Sequence, residues 1–369
     1  MIRTLLTGII AFSTITAAYA DLTALEAKAA ASPENARVLY DLTRAYCKHD
    51  SADKAVESWR RLVDIDYDLA SEVFLRANIA AYLGIEPFFP EMICDTMAAH
   101  PRFGPNREWI VFQAVIGGQM RVGMMDFFGD HYQVLTSRDY YCHEPAFVDS
   151  KDRILYTRYA DDDVVELVYR DLQRNETRAI LDSKTLTQPQ SPDMPKSNLP
   201  MLFSFLSPET RTTEIGQYNI KKSKMKRLTD NYYSDRTPRY SSNGRLITFV
   251  SDNRTNLDIY IMNRRGKRKR QITDWRCHEV NPDFGDNDSK IAFSSNKRDH
   301  FDIYICELKS GDIYPVTLNE GNDMRPDISK DGNWLIFDSN RDTDILKSYL
   351  VPLNQPVSVE QLVEEIDNQ

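Results

Sequence analysis

Of 369 residues only 5 are cysteine, 6 histidine and 14 glycine. So thin a cysteine set does not make a disulfide scaffold, and the spacings C-x-x-C, H-x-E and H-E-x-x-H that mark zinc and redox sites do not occur. No glycine builds G-x-S-x-G, which removes the nucleophile elbow of a serine peptidase of the α/β-hydrolase kind. Long apolar runs are missing too: past the N-terminus no stretch approaches the roughly 20 apolar residues that spanning a membrane needs. Positive charge is in deficit, with 46 Lys and Arg against 55 Asp and Glu and a net charge of -9. That balance favours solubility and argues against a nucleic-acid partner.

What is present begins with MIRTLLTGIIAFSTITAAYA. A basic residue (Arg3), an apolar run from Leu5 to Phe12 and Ala18-Tyr19-Ala20 are the three parts of a secretory signal peptide. Cleavage is expected after Ala20, giving an exported, periplasmic chain whose net charge, without Arg3, moves from -9 to -10.

The rest is organised by a repeat. With Pro238, Pro282 and Pro326 as origins, Phe249, Phe293 and Phe337 follow eleven residues later, and Thr229, Thr273 and Thr317 precede by nine. The same ruler finds weaker copies at Pro192 with Phe203, Pro145 with Tyr156 and Thr136, and Pro101 with Phe112. Aromatics are 11% of the chain, so six of six at one offset is a chance event on the order of one in a million. Each unit of 44 to 47 residues holds apolar runs of four to six residues, such as Leu246 to Val250 and Asp258 to Ile261, separated by Asn-Gly, Asp-Asn and Asp-Gly turns. Four strands fit in such a unit, and six units predict a mainly β fold: a six-bladed β-propeller over residues 101–355.

The pattern P-x-x-S-x-D/N-G-x-x-I/L-x-F-x-S-N-R followed by D-I-Y resembles the propeller repeat of the TolB family, periplasmic proteins of the Tol-Pal envelope system. The resemblance is sharp in the last three units and loose in the first three. It implies a binding protein whose propeller receives a protein or peptide of the envelope on its loop-rich face, with no catalytic residue, cofactor or metal. The chain departs from that family in its N-terminal segment, which reads as helical rather than mixed α/β.

Residues 21–100 contain one glycine, Gly84, and apolar residues at spacings of three and four. Pro33 is read as opening one helix and Ser51 as capping the next. Leu39, Leu42, Tyr46, Ala55 and Trp59 fall where a tetratricopeptide repeat places its packing residues, and this unit is similar to that family. Helices are also expected over Leu22–Ala31, Leu69–Leu83 and Glu91–Ala99, with Gly84–Pro90 as linker. Cys47 and Cys94 then share the helical segment and are candidates for a disulfide. Four prolines from Pro189 to Pro200 shorten the first strand of the third unit. After Pro356, Ser358 and Gln361 form a capping box for a short helix; the competing reading makes Val357 to Val359 the last outer strand, and the helix reading leaves ring closure unexplained.

Residues that recur in every unit are read as architecture: the Asp of each D-I-Y, Arg254, Arg298 and Arg341, and the turn pairs. Function is sought in the loops leading to each proline, which open on one face. They carry Tyr140, Tyr141, His143 and Glu144; Tyr232, Tyr233, Asp235 and Arg236; Trp275, Arg276, His278 and Glu279; and Asn322, Asp323 and Arg325. Aromatics beside arginines and carboxylates are the composition of a protein-binding hot spot, against which stands a plain solvated rim of turn residues. A second feature is basic: Lys221, Lys222, Lys224, Lys226 and Arg227 in one outer hairpin, and Arg264, Arg265, Lys267, Arg268, Lys269 and Arg270 in the next. These are either solvated hairpins or a patch for an anionic membrane surface or acidic protein. The rival to a docking protein is a propeller enzyme or ligand binder acting on oligosaccharides, similar to the oligosaccharide lyases.

Overall fold

A computed structural model describes residues 21–368 apart from 95–96, 162–163, 253–255 and 286–287; the expected signal peptide and Arg254 lie outside the described residues. Two compact units divide the chain: residues up to Phe88 with 312–318 and 356 onwards, and the remainder from Phe89.

The second unit is built by the aromatic repeat. Each aromatic eleven residues past its proline lies on the second strand of a blade and is buried. Across the ladder five of the six meet either a ring or a glycine, and Tyr156 of the second blade faces Val168. Phe249, Phe293 and Phe337 stack on Tyr260, Tyr304 and Tyr349 at 5.8 to 5.9 Å, so the cross-strand partner is the tyrosine of D-I-Y in two blades and Tyr349, which follows Lys347 and Ser348, in the last. Phe112 and Phe203 instead lie over Gly123 and Gly216, where a Cβ would come within 2.7 and 2.6 Å of the ring. The threonines close the fourth strand: Thr136, Thr229 and Thr273 Oγ1 accept the N–H of Val122, Ile215 and Ile259 on the third strand at 2.9 to 3.1 Å.

Six four-stranded antiparallel sheets result, a six-bladed β-propeller. The first strands, Ala98–Phe103, Tyr141–Val148, Gln190–Asp193, Asp235–Tyr240, Glu279–Gly285 and Asp323–Ile328, pack on one another in a closed circle around the channel. The third is the short one, as its prolines dictate. The sixth blade runs Asp323–Ile328, Trp334–Ser339, Lys347–Pro352 and then Glu91–Cys94. The helix expected over Glu91–Ala99 is therefore corrected: Glu91–Cys94 pairs with Lys347–Pro352, Met92 opposite Tyr349, and Ala98–Phe103 is already the first blade. An unpaired edge overrides the weak helical preference of four residues, and the ring closes through its N-terminal strand. Cys94 thus leaves the helical segment, and no disulfide joins Cys47 and Cys94.

In the first unit the helices are 21–31, Ala36–Lys48, Ala52–Ile65, Tyr67–Ala70, Val73–Tyr82 and Val359–Asn368. Leu39, Leu42, Tyr46, Ala55 and Trp59 are all buried, and Trp59 Nε1 donates to the Ala70 carbonyl at 3.0 Å. Asn35, not Pro33, caps the first of the tetratricopeptide-like pair, accepting from Val38 N at 3.1 Å; Ser51 sits at the next cap without a side-chain bond. The helix expected over Leu69–Leu83 is two, broken at Ser71 and Glu72. Arg44 and Lys48 both pair with buried Asp312. The tail is helical, and its capping box forms: Ser358 N donates to Gln361 Oε1 at 3.0 Å and Gln361 N to Ser358 Oγ at 3.2 Å. No helix among the described residues is long and apolar enough to cross a membrane.

At the channel every blade makes the same unusual bend. His100, Glu144, Ser191, Thr237, Asn281 and Arg325, each immediately before its proline, have φ between 46 and 54°. The strand register slips at each of them. A left-handed residue followed by a proline without an N–H makes a bulge, which turns the next residue towards the axis. Those next residues are Arg102, Ala146, Asp193, Arg239, Asp283 and Asp327. Arg102 of the first blade reaches Asp327, Asp193 and Asp283 at 3.0, 3.6 and 3.7 Å. Each of these carboxylates also accepts a backbone N–H from the following blade: Phe103 at 2.8 Å, Tyr240 at 2.8 Å and Ile328 at 3.3 Å respectively. Burial works against the Arg102 charge, but the three carboxylates outweigh it and hold its pKa above the ordinary value. Arg102→Ala is expected to cost about 3–5 kcal/mol by stranding buried carboxylates. Arg107→Ala, which breaks an exposed 2.8 Å pair with Asp331, should cost under about 1 kcal/mol. Equal shifts of the two urea midpoints would refute the pinning role of Arg102.

Candidate functional site

The loop-rich face is assembled from two sets of connections, those entering each first strand and those leaving each second strand. Of the carboxylates expected at its rim, Asp235, Glu279 and Asp323 are fully buried, which corrects their placement as partner-facing groups. Standing three residues before the proline, each ties the incoming loop to the blade. Asp323 accepts from Arg341 Nη2 at 2.8 Å and Asn319 Nδ2 at 2.6 Å. Asp235 accepts from Asn231 Nδ2 at 2.8 Å and lies 3.5 Å from Lys269 Nζ. Glu279 accepts from Cys277 Sγ at 3.1 Å and Ser295 Oγ at 3.3 Å, and its Oε2 is buried without a hydrogen-bond partner.

Other expected residues also serve the ring. Glu144 accepts from Ser191 N at 2.7 Å and Ser191 Oγ at 2.9 Å, linking the second blade to the third. Arg325, half-buried at the channel, donates to buried Asp338. Trp275 is half-buried over Tyr304 and Phe293, with Lys297 Nζ 4.7 Å above its ring, and so roofs the fifth blade. Tyr232, Arg236, Arg276 and His278 are exposed, Tyr232 at 86%.

The second blade gathers what the others scatter. Its second strand, Ser150–Asp161, has twelve residues where its counterparts in the last three blades have six. The extra length places Tyr159 directly opposite Tyr141. Their rings meet edge-on at 5.6 Å, and His143, two residues along the strand from Tyr141, stacks on Tyr159 at 5.4 Å. Tyr141 and Tyr159 are 45% and 42% exposed, while His143 Nε2 is buried with no hydrogen-bond partner. Burial holds the His143 imidazole below its ordinary pKa. Beside them Tyr140 is half-buried under the Arg158 guanidinium, 4.5 Å from its ring. Tyr159 escaped the sequence reading because it belongs to no offset shared by the blades; the length of the apolar run through it was the available signal.

Of the basic hairpin residues all are exposed except Arg227, which pairs with Glu209, Glu214 and Asp230. Among the described residues no group of three or more His, Cys, Asp or Glu is arranged to hold a metal ion.

The TolB beta propeller domain family matches residues 201–351. The chain carries a TolB-like propeller. TolB from Acinetobacter baumannii superposes with a TM-score of 0.54 at 18% identity, over 70% of this chain and 64% of its own, so the match spans less than two thirds of that protein. A putative TolB from Agrobacterium tumefaciens gives 0.54 at 14% identity, over 71% and 91%. An oligogalacturonate lyase in complex with manganese gives 0.49 at 9% identity, over 73% and 91%. No curated protein matches in sequence.

At the opposite mouth of this TolB-like ring the channel opens into a cavity of about 160 Å³, walled by Phe103, Phe147, Tyr240, Phe284 and Ile328 beside the charged layer of Arg102. The buried latches differ in electrostatics. Arg341 faces Asp323 and Lys269 faces Asp235, but Glu279 has thiol and hydroxyl donors in place of a cation. Desolvation therefore pushes its pKa up to about 7, and that of its neighbour Asp258 up to about 6. Both folded values exceed the unfolded ones, so the folded chain binds more protons than the unfolded chain between about pH 4 and 7. The pair's contribution to stability is present in acid and lost as pH rises through that window. Glu279→Gln, which keeps the acceptor, is expected to flatten the fall in Tm between pH 5 and 8. A variant as steeply pH-dependent as its parent would show that the latch does not titrate there.

Proposed function

We propose that this is an exported, periplasmic, non-enzymatic docking protein of the cell envelope, binding a protein or peptide on the loop-rich face of its propeller. The observation that carries the reading is the Tyr141–Tyr159 pair with His143 behind it. Two rigid aromatic rings, half-exposed and held by strand pairing, offer apolar area at little cost in side-chain entropy, which is what a binding hot spot requires. Exposed Tyr232, Arg236, Arg276 and His278 extend the face across the fourth and fifth blades. Likeness to TolB supports the reading through the fold.

The test is affinity capture from envelope extract with the full chain and with Tyr141→Ala/Tyr159→Ala. A captured protein should bind the double variant at least about tenfold more weakly, since each hot-spot aromatic contributes about 2 kcal/mol or more, while Tm stays within a few degrees. Equal capture by the two proteins would move the docking site elsewhere.

A further inference from the structure

The two basic hairpins belong to adjacent blades, and the fold fastens them together. Lys226 Nζ donates to the Arg265 carbonyl at 2.8 Å, and Gln217 Nε2 to the Arg264 carbonyl at 3.0 Å. Gly266 lies so close to Leu228 that a Cβ would meet its carbonyl oxygen at 2.6 Å. Two cations leave the set: Arg227 is neutralised by its three carboxylates, and Lys269 folds back over Tyr260 and Phe249 towards Asp235. Nine exposed cations remain, from Lys221 to Lys226 and from Arg264 to Arg270, and none of them has an acidic side chain of the described residues within salt-bridge distance.

Like charges brought together this way repel one another, in a chain that is acidic as a whole. Solvated turns with no ligand gain nothing from being stitched side by side. We propose that this paired hairpin surface binds an anionic lipid bilayer through phosphate headgroups. A lipid surface fits better than an acidic protein because none of the exposed large hydrophobic residues lies in either hairpin. A protein interface is anchored by aromatic side chains that bury on binding, and neither hairpin carries one, whereas a headgroup layer needs only density of positive charge and is screened by salt.

The test uses the full mature chain with vesicles of phosphatidylcholine containing 30% phosphatidylglycerol, and with phosphatidylcholine alone. Binding is expected only to the anionic vesicles, at 50 mM salt and not at 500 mM. Lys221→Glu/Lys224→Glu/Arg265→Glu/Lys267→Glu should weaken it more than tenfold. The Tm and Tyr141-dependent capture of this variant should match the parent, which separates failure of this surface from failure of the docking face. Binding that survives the charge reversal, or is equal on neutral vesicles, overturns the proposal. So does retention by a soluble polyanion such as heparin with none by anionic vesicles.

Discussion

One guanidinium, that of Arg102, sits where four blades meet. It reaches carboxylates of the third, fifth and sixth blades, and each of those carboxylates holds a backbone N–H of the blade that follows. A propeller has little else to resist splaying at its axis, because the blades pack by side-chain contact rather than by shared ladders. Burying one cation among three carboxylates costs desolvation on every member. Asp283 and Asp327 register that cost: burial, followed for Asp283 by the neighbouring Asp327 charge, drives their pKa values up. The layer is stable because backbone donors share the load, and because no member can leave without stranding another.

The six bends before the prolines make that layer possible. A non-glycine residue at φ near 50° is strained, and a β-branched one such as Thr237 more so. Strain of about 1–3 kcal/mol at each of six positions persists only where the surroundings over-determine it. Here neighbouring first strands fix both sides of each bend, and the proline forfeits the hydrogen bond that would have pulled the strand straight. The same bend points the residue after the proline into the axis in every blade, so a six-fold backbone device yields an asymmetric set of side chains.

This explains which features could be read beforehand. Proline, threonine and aromatic recur at fixed offsets because each blade needs them for its own packing, and the blade count follows from them. Ring closure could not be read that way. Glu91–Cys94 is too short to show a period, and its partner strand lies more than 250 residues later. The carboxylates three residues before Pro238, Pro282 and Pro326 were visible as positions, but whether they face water depends on Arg341, Lys269 and Ser295 arriving from other segments. Arg102 stands at the offset that Asp193, Asp283 and Asp327 occupy in other blades, and only the closed circle shows it to be their counter-ion. Tyr159 lies in an insertion peculiar to one blade, where repetition offers no guide.

Topology then separates the two surfaces. In a four-stranded antiparallel blade, the connections into the first strand and out of the second share one end, and the turns from first to second and from third to fourth share the other. Tyr141 and Tyr159 belong to the first end; the basic hairpins are third-to-fourth turns. A chain held by its hairpins on an anionic layer keeps its aromatic mouth turned away from that layer, and repulsion between the layer and the acidic remainder of the propeller disfavours other orientations. Under the two proposals electrostatics would set orientation and the aromatic pair the choice of partner, two tasks that fall at different ends of the blades because charge density and apolar area make opposing demands on a surface.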